Sequence, residues 1–305
     1  MDPGRASVTA MGTALMRADH TRSAREPLID DPWGDRLVPD EYRSRLREDA
    51  LSGLPRESQE QLRTLPPDEL LGFLLRRHPS YATIIVRARY AEEMLAAAVR
   101  DGVRQYVIVG AGLDSFALRR PKFAGELQVF ELDHPDTQQF KLARLAGCGD
   151  LSPAGVHYIG ADLAAESVDE ALARSPFDPG APSFFSWLGV TAYLTREANV
   201  RTLRSIASCG APGSQLVFDY GDQRAYDNPP NDERSVRIRA RLARAGEPWI
   251  SGFYPEQLGA DLRAVGLELV ENLSPQELHQ RYCAGSPEDL TPSPNHYLAR
   301  ACVPA

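Results

Sequence analysis

Residues Tyr106–Arg120 read YVIVGAGLDSFALRR: an apolar run enters two glycines, Gly110 and Gly112, passes an aspartate and continues into a helix-like segment. Glycines placed directly after a buried strand let backbone come close to a ligand. Outward from this turn, apolar runs recur at QYVIVG from Gln105, LQVFELD from Leu127, VHYIGAD from Val156, SFFSWLGV from Ser183 and SQLVFDYG from Ser214, with gaps long enough for crossover helices. Strands alternating with helices predict an α/β fold, a doubly wound and mainly parallel sheet with helices on both faces. PEQLGADLRAVG (Pro255–Gly266) predicts a helix with a glycine stop, and LELVENL and HYLARACV predict two last strands as antiparallel neighbours.

Upstream of the turn, apolar residues of YATIIVRARYAEEMLAAAVR (Tyr81–Arg100) recur at helical spacing, and Gly102 is placed to end that helix in the left-handed C′ position. Residues 1–80 predict a helical cap of short segments broken at Pro66 and Pro67. The main domain then spans 81–305, with an insertion at about 223–253. The stretch GDQRAYDNPPNDERS in that insertion has the Asp, Asn and Pro content of mobile turns.

The chain has 305 residues, is 43% hydrophobic and carries a formal charge of −8, which argues against a surface built for nucleic-acid phosphates. Only Lys122 and Lys141 are lysines among 34 basic residues, a bias expected of a high-GC bacterial genome. Cys148, Cys209, Cys283 and Cys302 form no CxxC pair, and the histidines show no metal-ligand spacing, so no metal is expected. The segment MDPGRASVTAMGTALMRADH does not read as a secretory signal, and no run is long and apolar enough for a membrane helix. A cytoplasmic protein without membrane contact is expected.

The ligand is narrowed by what the turn lacks. A dinucleotide fingerprint asks for G-x-G-x-x-G, and Ser115 stands where the third glycine belongs; the G-K-[ST] of a P-loop is absent. Asp133 ends the next strand, 23 residues after Gly110, near the offset at which a carboxylate meets ribose hydroxyls. It can equally cap the following helix. Asp162 and Leu163 follow the third strand, an acceptor beside an apolar side chain suited to an adenine amino group and ring. Together they suit S-adenosyl-L-methionine, an adenosine with an amino-acid tail and no phosphate. A nicotinamide-dependent oxidoreductase and a non-catalytic scaffold that only binds S-adenosylmethionine are the competing readings.

RARYAEEML, VIVGAGLDSFALRR, FELDHPDTQQFKLARL, GADL and SWLGVTAYLTREA, in this order, resemble the leucine carboxyl methyltransferase family of class I S-adenosylmethionine-dependent methyltransferases. TALMRADHTRSAREPLIDDPWGDRLV resembles its bacterial members, which include polyketide O-methyltransferases. The resemblance implies the Rossmann-like class I methyltransferase fold with seven strands. It implies that Arg87 pairs with the cofactor's methionine carboxylate, that the Gly110–Ala111–Gly112 turn backs the methionine portion, that Asp133 with neighbouring His134 meets the ribose, and that Asp162 and Leu163 meet the adenine. Many members carry Glu-Gly ahead of the Tyr-Leu pair; here Leu188 precedes Gly189.

Methyl transfer from a sulfonium is mainly a matter of positioning and exclusion of water. A carboxylate acceptor is ionised at neutral pH and needs no general base, whereas a phenol benefits from one. No residue stands out as a base, although His134 and His296 are candidates. This favours O-methylation of a carboxylate, or of a phenolic hydroxyl, on a small molecule such as a polyketide or other secondary metabolite, with S-adenosyl-L-homocysteine as by-product. Tyr193, Tyr226, Trp249 and Phe253 are candidate acceptor contacts; each also fits a local core under a lid.

Overall fold

The computed structural model describes residues 7–149, 153–227, 233–244 and 246–305. Part of the insertion expected at about 223–253, and of its turn-rich stretch, therefore lies outside the described residues. Seven strands form one sheet: β1 (Gln105–Val109), β2 (Gln128–Asp133), β3 (Val156–Gly160), β4 (Ser183–Trp187), β5 (Gln215–Gly221), β6 (Glu268–Leu273) and β7 (His296–Cys302), in the order β3-β2-β1-β4-β5-β7-β6. The first five pair in parallel, while β7 runs antiparallel between β5 and β6. The order reverses between β1 and β4, so a crevice opens beyond their carboxyl ends, where open α/β sheets take ligands.

Helices precede and cover the sheet. α1 (Val8–Ser23), α2 (Gly34–Leu37), α3 (Asp40–Ser52), α4 (Arg56–Leu62) and α5 (Pro67–Arg76) come first, with Pro66 and Pro67 separating the last two. α6 (Tyr81–Arg100) leads into β1, and Gly102 has φ 100° in the turn between them. After β1 come α7 (Phe116–Arg119), α8 (Pro135–Gly147), α9 (Val168–Leu172), α10 (Arg196–Cys209), α11 (Arg224–Asp227), α12 (Glu233–Arg244), α13 (Leu258–Arg263) and α14 (Pro275–Tyr282), the last between β6 and β7.

Strand alternation assigns the faces. Val107, Val109, Phe130, Leu132, Phe185, Trp187, Leu216, Phe218 and Tyr220 share one apolar cluster with α9, α10 and α13. Tyr106, Ile108, Val129, Phe184 and Val217 face the other way, into a cluster shared with α6 and with Met11, Leu15, Leu37, Leu71 and Leu75 of the N-terminal helices. These N-terminal helices thus share a core with one sheet face. On that same face the next alternate positions are polar: Glu131 on β2, Ser186 on β4 and Asp219 on β5, all buried.

The helix-like segment expected after the glycine turn is short. α7 is one turn: Arg120 takes φ 42° in the left-handed region, and Pro121 follows without an N–H to continue the ladder. Among the described residues no helix is long and apolar enough to cross a membrane, and no cluster of His, Cys, Asp and Glu is placed to hold a metal ion.

Candidate functional site

A cavity of about 330 Å³ lies beyond the carboxyl ends of β1, β2, β3 and β4, roofed by α1, α6 and the segment 246–248. Its size is in the range of small-molecule sites. Arg87, Gly110, Ala111, Gly112, Asp133, His134, Asp162, Leu163, Leu188, Gly189 and Tyr193 all line it. Residues scattered over more than a hundred positions of sequence meet there because four parallel strands end at one edge.

The glycine turn forms its floor. Gly110 and Gly112 have φ of 74° and 53°, and a Cβ on Gly110 would lie 2.3 Å from Val190 Cγ2. The turn's N–H groups are already engaged: those of Gly110 and Ala111 donate to the Leu132 carbonyl at 2.8 and 2.9 Å, and that of Gly112 donates to Asp133. The turn therefore offers close approach rather than a cradle of free donors for a pyrophosphate. Ser115, at the third-glycine position, is buried and accepts from Arg119 Nε at 2.9 Å.

Asp133 ends β2 at the cavity wall. Its second oxygen accepts the His134 N–H at 2.6 Å, so each oxygen holds one backbone donor and retains lone-pair capacity for hydroxyls. Burial pushes its carboxyl above the usual range, opposed by the two N–H groups. The cap of α8 is His134 instead, whose ring Nδ1 accepts from Asp136 N–H at 3.3 Å. Asp162 sits exposed at the mouth, its side chain accepting the Ala164 N–H at 3.0 Å, beside buried Leu163.

Arg87 projects from α6 and donates through Nη1 to Asp219 at 2.8 Å. Asp219 is buried and also accepts from the Gly189 N–H and from His296 Nε2. Burial opposes its ionisation, yet Arg87 and His296 outweigh that and hold the carboxyl well below the usual range. Asp219 was missed in the sequence; its signal was a charged residue inside the apolar strand QLVFDYG. Gly189 has φ 72°, and a Cβ there would come within 2.5 Å of Arg87 Nη2.

Two further groups went unnoticed. Arg17 of α1 binds buried Asp31 at 2.7 Å through Nε and the Leu113 carbonyl at 2.9 Å through Nη2, tying α1 to the glycine turn. Glu247 accepts the N–H groups of Val8 and Thr9 at 3.0 and 2.9 Å and the Thr9 hydroxyl, closing the roof across 238 positions.

Of the aromatic candidates only Tyr193 reaches the cavity wall. Trp249 lies behind it, its indole Nε1 3.4 Å from the Tyr193 hydroxyl. Tyr226 is wedged against Gly221 and Gly252, with Arg239 Cζ 5.8 Å from its ring centre. Phe253 is 0% exposed and packs on Phe218 and Tyr220, so the structure puts it in the core rather than beside an acceptor. Its backbone bonds to Gly221 explain why: the chain re-enters the sheet edge at that point.

The residues present fit the cofactor implied by the sequence resemblance. Asp133 faces the cavity with acceptor capacity for ribose hydroxyls, and Arg87 brings a guanidinium for a carboxylate. Asp162 and Leu163 flank the opening.

Residues 10–207 match the leucine carboxyl methyltransferase family. A Bacillus subtilis protein, YktD, named as a candidate S-adenosyl-L-methionine-dependent methyltransferase, is 31% identical over 296 residues, covering 95% of this chain and 96% of its own. A Mycolicibacterium smegmatis protein with a name of the same kind is 36% identical over 216 residues, covering 71% of this chain and 67% of its own. Among solved structures, a DUF574 family protein from Streptomyces avermitilis superposes with a TM-score of 0.57 at 18% identity, covering 86% of this chain and 97% of that one. A structure from Thermobifida fusca, described as a candidate methyltransferase, gives 0.55 at 15% identity, covering 86% and 94%. Both likenesses concern the fold.

Proposed function

The chain belongs to the leucine carboxyl methyltransferase family and is an S-adenosyl-L-methionine-dependent methyltransferase, and on that premise we propose that it methylates the carboxylate of a small apolar or aromatic acid. The observation that carries this reading is that, among the described residues, Glu247, Glu92 and His134 at the cavity are each already engaged. Glu247 is engaged by three donors of α1, Glu92 by Arg119, and the His134 ring caps α8. Burial pushes the Tyr193 phenol up, which keeps it a neutral donor. A carboxylate is already ionised at neutral pH and suits such a wall; a phenol, with a pKa of about 10, does not.

Bound in the cavity, the cofactor supplies a methyl group on a positively charged sulfur that departs as a neutral thioether. The chain's own part is positional. Asp133 orients the ribose, Arg87 the carboxylate tail, and Asp162 with Leu163 the adenine. Tyr193 and Leu188 then border the space left for the acceptor, and the roof of α1 and Glu247 keeps water out.

The test begins with calorimetry of the purified chain against S-adenosylmethionine, S-adenosylhomocysteine and NADH; micromolar affinity for the first two is expected. Transfer of labelled methyl to a panel of aromatic carboxylic acids and phenols follows. A methyl ester releases methanol in base, whereas an aryl methyl ether does not. Base-labile product is expected, and base-stable product overturns the carboxylate assignment.

A further inference from the structure

We propose that Asp219 is a positioning residue for the cofactor, fixing the Arg87 guanidinium so that its free edge meets the methionine carboxylate. The inference rests on the methyltransferase reading above and assigns a role to a residue that does not line the cavity.

The geometry begins with strand parity. Val217 and Asp219 share a face of β5, the face on which α6 packs. Asp219 is the polar member, one step nearer the carboxyl end, and therefore level with the turn that follows β4. Three donors from three elements converge on its two oxygens: Arg87 Nη1 of α6 at 2.8 Å, the Gly189 N–H after β4, and His296 Nε2 at the start of β7. The Thr191 hydroxyl binds the Asp219 carbonyl at 2.8 Å, which pins the same turn to the same residue.

A guanidinium is a planar fork with five N–H donors. With one arm held by Asp219, the range of orientations open to the fork narrows, and the remaining donors are left for a second carboxylate. Gly189 closes the other side, since its backbone passes so near Arg87 that a Cβ would lie 2.5 Å from Nη2. Leu188, the uncharged residue at the end of β4, lines the wall without contributing a charge.

The test compares three ligands on the full chain: S-adenosylmethionine, S-adenosylhomocysteine and 5′-methylthioadenosine, which keeps the adenosine and sulfur but lacks the amino-acid tail. Asp219→Asn should weaken the first two by about tenfold or more, the scale of a charge-assisted hydrogen bond, and leave methylthioadenosine within about twofold of wild type. Equal loss for all three means that Asp219 merely supports the pocket, and no loss for any means that it does not orient Arg87; either result overturns the proposal. Gly189→Ala gives a second route that leaves Asp219 in place but displaces the fork. It should show the same selective loss, and an unaltered S-adenosylmethionine affinity there overturns the proposal as well. A wild-type chain that binds none of the three contradicts the methyltransferase reading itself, a different outcome from any of these.

Discussion

Lys141 and Glu131 form an ion pair in which each side chain is 1% exposed, and the Lys141 ammonium also donates to the Asp114 carbonyl at 2.6 Å. One of the chain's two lysines is thus sealed beneath the glycine turn, where it joins β2, α8 and the segment that leads into α7. Breaking a buried pair leaves the partner charge uncompensated. Lys141→Met is expected to lower stability by about 3–5 kcal/mol, measured by urea unfolding. The double change Lys141→Met with Glu131→Leu should recover much of that loss, because no lone charge remains.

Gly110 combines a left-handed backbone with contact against Val190. Gly110→Ala adds strain of about 1–2 kcal/mol from φ alone, and its Cβ, 2.3 Å from Val190 Cγ2, forces the wall to move. Loss of S-adenosylmethionine binding beyond the loss of stability is expected, read by comparing calorimetry with thermal unfolding. Gly112→Ala should be milder, since its nearest neighbour is Ala10 Cβ at 3.0 Å.

Asp133→Ala should weaken S-adenosylmethionine by about 1–3 kcal/mol, the scale of lost charge-assisted hydrogen bonds. Methylthioadenosine should fall in parallel, because it carries the same ribose. Affinities that do not change in a folded variant take Asp133 out of the site.

Asp31 sets a pH dependence. Burial opposes its ionisation, but Arg17 and Arg119 outweigh this and hold its carboxyl below the usual range. The native state then binds fewer protons than the unfolded chain. Its stabilising contribution is complete above the ordinary carboxylate pKa of about 4 and fades as pH falls from there toward the depressed native value. Unfolding free energies measured across that acidic window should decline less steeply for Asp31→Asn than for the parent chain.

Much of the frame was legible because parallel strands buried on both faces leave continuous apolar runs, and because glycine after the first run has few structural alternatives. QYVIV, SFFSW and the Gly110 turn are local signals. The short α7 was harder: its arrest depends on Arg120 accepting a left-handed backbone before Pro121, which helical periodicity does not register. Asp219 and Glu247 act on partners 132 and 238 positions away, and nothing near either residue announces its partner. Tyr193, Trp249 and Phe253 share composition but occupy successive depths, from cavity wall to core, a distinction that only the return of residues 249–253 to the sheet edge creates.

The roof clip between Glu247 and α1 bears on the order of events during folding. Two N–H groups of the first turn of α1 are bound by a residue far later in the chain, and Asp219 acquires its His296 donor only when β7 slots between β5 and β6. A partly folded chain in which β7 is not yet docked has neither a completed sheet nor a fully tethered Arg87. Completion of the sheet and readiness to take a ligand are therefore coupled, which spares a partly folded polypeptide from holding a cofactor around an unfinished core.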